Sequence, residues 1–212
     1  MENLLKKNIE DIKIPYTSLQ EINEATGEWG EKSAMHVKRR EEYGNIEEGL
    51  YIQNSLTLFH KVLIFEDKLS VMMPNEFVIM LPELVDTKYI SEKKTDVIYT
   101  NLDGSVNFSF NLLVTSSGEK DMSYAINMLK TMIKNMNPAY IFFEDKTIES
   151  IAGNSISLIQ FKSYGIDEAA YNIIYLVSID KYIIQGAFNC QYNDMDEWKR
   201  AALEIIKSIK LE

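Results

Sequence analysis

The sequence predicts an α+β domain, an antiparallel sheet flanked by helices, behind a partly helical N-terminal extension. Three observations lead to it. Ala170 to Ile179 and Tyr182 to Cys190 read as neighbouring antiparallel strands. An Asp103-Gly104 step separates two further strand-like arms. Two stretches, from Met122 to Met136 and from Trp198 to Ile209, repeat apolar residues at helical spacing.

In chain order, residues 1–48 form the extension and 49–212 a single domain. Ser18-Leu19-Gln20-Glu21 fits a capping box before a short apolar face at Leu19, Ile22 and Ala25. Glu31 to Tyr43 is charged with few apolar residues, as in a solvated helix. Gly44 and Gly49 mark a connection. From Leu50 to Phe65 the pattern is strand-like, one long strand or a hairpin, with Leu58, His60 and Val62 on one parity. Leu69, Val71 and Met73 alternate until Pro74, which cannot donate to a ladder. Phe77 to Leu81 is a shorter apolar piece bounded by Pro82.

Asp96 to Thr100 and Val106 to Thr115 flank the Asp-Gly turn, and the second arm alternates through Val106, Phe108, Phe110, Leu112 and Val114. Met122, Ile126, Leu129, Ile133 and Met136 then make a helical stripe that Pro138 ends. Tyr140 to Phe143, Thr147 to Ala152 and Ser155 to Ser163 read as strands, the last two joined at Gly153-Asn154. In the closing unit Ile173 to Val177 is β-branched and aromatic, Asp180-Lys181 interrupts, and Tyr182, Ile184, Gly186, Phe188 and Cys190 share one side. Trp198, Ala202, Ile205 and Ile209 then keep one helix face apolar, with Asp194 and Glu197 placed to serve the free amides at its start.

At 212 residues, 46% hydrophobic and 25% charged, the chain has the composition of a globular protein with a proper core. A formal charge of −10 without a dense Lys/Arg patch argues against nucleic-acid binding. No run approaches the roughly 20 apolar residues of a membrane span, so no membrane insertion is expected. The single cysteine and the absence of a signal-like apolar core near Met1 point to the cytoplasm.

Leu69-Ser70-Val71-Met72-Met73-Pro74 with Phe77, the Asp103-Gly104 hairpin and its helix, Phe188-Asn189-Cys190, Trp198 and Ile205-Ile206-Lys207-Ser208-Ile209 together resemble the PsbP/Mog-type (DcrB-like) fold, over about residues 65 to 209. The resemblance implies an α-β-α sandwich and a non-enzymatic role that docks another protein. It carries no binding residue onto a numbered position here.

Chemistry-bearing residues are sparse. His36 sits among charges, and His60 reads as a core or semi-buried strand histidine. With only two histidines and no HExxH or CxxC spacing, no metal site is expected. Asn193, Asp194, Asp196 and Glu197 lack the twelve-residue calcium loop and read as helix-start residues. Cys190 takes the parity of a buried small hydrophobe. No GxSxG, Walker A or GxGxxG sequence occurs, so no catalytic residue and no cofactor is assigned. Asn107-Phe108-Ser109 matches a glycosylation triplet but falls within a strand.

Met128 and Met132 widen the apolar arc of the long helix. Their simplest use is packing on a broad sheet; their other use is an adaptable docking face. Tyr164 and Tyr171, flanking the Gly165 to Glu168 loop, are a second pair of surface candidates. The functional expectation is a protein-interaction module, an adaptor or specialised chaperone, with a protein as partner. The alternative from another class is a small-molecule binder or enzyme using a cavity between sheet and helix. A structural subunit of a larger assembly is a third.

Overall fold

The computed structural model describes residues 44–88, 95–114, 122–143, 145–165, 168–179 and 182–212. The helices expected before Gly44 and the Asp180-Lys181 break lie outside these residues. The chain divides into two compact units, Met1–Tyr43 and Gly44–Glu212. The second unit starts at Gly44. Ile46 is buried in its core, and Arg200 donates to the Gly44 carbonyl at 2.6 Å.

The main sheet runs β5-β6-β7-β12-β11-β10-β8, with β9 also paired to β10, and every pairing is antiparallel. Its strands are β5 (Val78–Ile79), β6 (Val97–Thr100), β7 (Asn107–Val114), β8 (Ile141–Phe142), β9 (Lys146–Glu149), β10 (Ser155–Tyr164), β11 (Ala169–Ile179) and β12 (Tyr182–Gln191). A smaller sheet, β13-β4-β3, joins β3 (Phe59–Ile64), β4 (Leu69–Pro74) and β13 (Lys210–Leu211). β1 (Leu50–Ile52) and β2 (Ser55–Thr57) form a separate hairpin. The helices are α1 (Pro82–Lys88), α2 (Met122–Met136) and α3 (Met195–Lys207).

Alternation decides which face of the main sheet each helix covers. On one face Ile159, Ile174, Leu176 and Ile183 meet Met122, Ile126, Leu129 and Ile133 of α2. On the other, Phe108, Phe110, Tyr171, Tyr175, Ile184 and Phe188 meet Trp198, Ala202 and Ile205 of α3 and Leu69, Val71 and Met73 of β4. Each fully buried side chain of this size contributes about 1.5–3 kcal/mol of transfer free energy, so the second face dominates stability. The helical stripe read from Trp198 onward is all buried, including Ile209, which lies past the last helical residue.

The stretch read as one strand or a hairpin is three short strands. Gln53 and Asn54 take left-handed φ values of 50° and 61°, the two-residue turn that joins β1 to β2. Phe65, Glu66 and Asp67 are also left-handed, at 57°, 57° and 61°, and turn the chain from β3 into β4. α1 begins on Pro82, whose missing N–H costs nothing in a first turn. β13 is held beside β4 and β3 by Glu212, which accepts from Ser70 and pairs with Lys61 at 2.8 Å.

Two expectations are corrected here. His60 is exposed: it shares a face with buried Met73, but β3 is the outer strand of its sheet among the described residues, so His60 overhangs the core. Its Nδ1 lies 3.1 Å from Asn75 Oδ1. Asp194 holds the helix-start position but its carboxylate makes no capping bond. The 3-10 turn Tyr192–Asp194 runs straight into α3, and the Met195 N–H bonds the Tyr192 carbonyl.

At the centre of the sheet Gly186 lies between Phe110 on β7 and Tyr175 on β11. Their rings meet edge-on at 6.4 Å across it. A Cβ at Gly186 would sit 2.1 Å from Tyr175 Cζ. Because Tyr175 is fully buried, its ring has nowhere to retreat. Gly186→Ala is expected to lower stability by about 1–3 kcal/mol, read as an earlier midpoint in urea denaturation; an unchanged midpoint would show that the ring moves freely.

Candidate functional site

The four surface candidates fall in different places. Met128 and Met132 lie on the outer side of α2, 50% and 56% exposed. They do not pack on the sheet, because the inner side of α2 is filled by Met122, Ile126, Leu129 and Ile133. With Tyr124 and Met136 they form a ridge in which each residue follows the last by four positions. The only charged residues in α2 are Lys130 and Lys134. Lys130 pairs with Asp145 at 2.6 Å and lies 5.5 Å from the Phe142 ring.

Tyr164 is exposed on the opposite face of the sheet, beside Lys162, whose ammonium lies 5.3 Å from its ring and 3.8 Å from that of Tyr192. Tyr171 is a correction: it is fully buried. Its hydroxyl donates to Gln160 Oε1 at 2.5 Å from the neighbouring strand, and its ring lies 6.2 Å from Phe188. Burial holds its phenol well above the ordinary value. A side chain so enclosed cannot meet a partner.

Cys190 is buried as its parity indicated, and burial, with a smaller effect from Asp194, pushes its thiol up to about 12. A protonated thiol is a poor nucleophile. Asp196 and Glu197 stand in the first turn of α3 as expected, and two of the acids here also hold the hairpin. Glu197 Oε2 accepts the Gln53 N–H at 2.9 Å, and Asp194 Oδ1 accepts from Gln53 Nε2 at 3.3 Å. They fasten the β1–β2 turn to α3.

That fastening shapes a cavity the sequence did not announce. It measures about 440 Å³, opens to solvent, and is lined by residues that include Ile52, Gln53, Leu56, Leu58, Glu76 and Trp198. Trp198 is 4% exposed, its ring 5.7 Å from that of Phe77, and its indole N–H has no hydrogen-bond partner. Among the described residues no group of three or more His, Cys, Asp or Glu side chains is placed to hold a metal ion.

No family model and no curated protein matches the sequence. Solved structures do. The solution structure of the cyanobacterial PsbP protein, CyanoP, from Synechocystis sp. PCC 6803 aligns with a TM-score of 0.55 at 10% identity, covering 77% of this chain and 95% of that one. The fold is PsbP-like. LpqN, described as involved in cell envelope biogenesis of Mycobacterium tuberculosis, aligns at 0.48 and 12% identity, covering 79% and 97%. A Bacteroides thetaiotaomicron VPI-5482 structure aligns at 0.47 and 8% identity, covering 72% and 48%. The identities are too low to transfer a site.

The buried thiol gives a direct check on this geometry. In the native protein Cys190 is expected to resist Ellman's reagent near pH 9, where a thiol of ordinary pKa 9.0 is half ionised, and to react fully once denatured. Rapid native labelling would place it at the surface.

Proposed function

We propose that this chain is a non-enzymatic protein-interaction module that docks a partner on the outer ridge of α2. The observation that carries the reading is the exposure of Tyr124, Met128, Met132 and Met136, at 64%, 50%, 56% and 76%, along one helix. A row of residues four apart is the ridge that seats in the groove of another helix. Methionine suits such a surface because its unbranched, polarizable side chain adapts to what covers it.

Among the described residues no helix is long and apolar enough to cross a membrane. We place the module in a reducing compartment, the cytoplasm, in keeping with its one cysteine, free and buried.

Affinity capture from the native cell, followed by purification of the recovered partner, supplies the binding assay. Met128→Lys with Met132→Lys is expected to abolish binding while stability stays within about 0.5 kcal/mol, because both sites are at the surface. Equal binding by the double variant would show that the partner lies elsewhere.

A further inference from the structure

The methionines divide by position into those a dissolved oxidant can reach and those it cannot. Of the ten, Met1 and Met35 lie outside the described residues. Met73, Met80 and Met122 are buried, and Met72 and Met195 are half-covered, packed against the core. Among the described residues the exposed ones are Met128, Met132 and Met136, at every fourth position on the outer side of α2. Three thioethers therefore stand in one row, about a turn apart. The chain's one cysteine offers no competing target. Cys190 is buried in the core, where the thiolate that oxidants attack is suppressed.

We propose that Met128, Met132 and Met136 form a modification site at which hydrogen peroxide converts the α2 ridge from apolar to polar. A sulfur lone pair attacks one peroxide oxygen, the S–O bond forms as the O–O bond breaks, and the departing hydroxide takes the proton of the transferred hydroxyl. Sulfur is oxidised by two electrons to the sulfoxide, and the peroxide is reduced to water. A soft apolar atom has become a polar acceptor. The inference rests on the reading of the ridge as a docking face: sulfoxide oxygens buried there without donors carry the cost of unmade hydrogen bonds, so oxidation releases the partner. Because methionine sulfoxide is enzymatically reducible, the site can be reset.

The test treats the full, folded chain with hydrogen peroxide, quenches it, and maps sulfoxides over time by peptide mass spectrometry. Met128, Met132 and Met136 are expected to oxidise at least about tenfold faster than Met73, Met80 and Met122, which meet the oxidant only when the core opens. The oxidised chain is expected to leave a phenyl-agarose column earlier, and to bind the captured partner at least about tenfold more weakly, the scale of one unpaired buried polar group. Treatment with the two methionine sulfoxide reductases, one for each epimer, is expected to restore both properties. A variant carrying Met128→Leu, Met132→Leu and Met136→Leu keeps the ridge apolar without sulfur, and is expected to bind the partner before and after peroxide. Equal oxidation of surface and core methionines overturns the proposal, as does loss of binding by the peroxide-treated leucine variant. Full binding by the oxidised chain also overturns it, and the Met128→Lys, Met132→Lys variant then tells which step failed. If that variant binds equally, the docking reading falls; if it does not bind, the ridge docks the partner and only the switch falls.

Discussion

The structure turns on the absence of one side chain. Gly186 leaves a gap in β12, and the rings of Phe110 and Tyr175 close over it from the strands on either side. An interior glycine normally weakens a strand because it packs nothing; here neighbouring aromatics supply the missing contact. The Tyr175 hydroxyl, pushed well above its ordinary pKa by burial, reaches the Ser109 carbonyl at 3.4 Å and so keeps a partner inside the core. A second series of aromatic contacts lies on the same face of the sheet. Phe188 meets Phe108 at 4.8 Å, Phe108 meets Phe77 at 6.1 Å, and Phe77 meets Trp198 at 5.7 Å. The position of α3, and with it one wall of the cavity, follows from that chain of rings.

The ridge and the cavity are consequences of how unequally the sheet is covered. The α3 face buries the larger aromatic residues and receives a second sheet, a hairpin and a helix. Among the described residues the α2 face is covered by one helix, whose inner side makes the contact. Its outer methionines have no intramolecular task among the described residues, which makes them available to a partner. On the α3 face the hairpin overhangs the start of the helix, and the space left beside Trp198 is the cavity.

The central fold was legible because its signals are local. Alternation in β7, β11 and β12 fixed the buried parity, and the stripe from Trp198 fixed the buried side of α3. Legibility failed where one element answers to another far away in sequence. Phe65, Glu66 and Asp67 carry no glycine to mark their left-handed turn. β13 is two residues long and exists because β4 offers an edge. Tyr171 flanks a loop, yet Gln160 across the ladder draws its hydroxyl inward. Asp194 and Glu197 looked like helix-start acids, and their partner is Gln53, more than a hundred positions upstream. The methionines were readable by type, but their exposure depends on how much sheet one helix covers. The cavity was unreadable, since it arises from the placement of a hairpin on a helix.

The claim that the Phe110–Gly186–Tyr175 row is the keystone is tested most directly by native-state hydrogen exchange. The amides of Ile173 to Val177 and Ile184 to Phe188 are predicted to exchange only through global unfolding, at the free energy measured by denaturation. Those of α2, held by a smaller apolar cluster, are predicted to exchange at lower free energy. Exchange of the β11 and β12 amides below that of α2 would contradict the account.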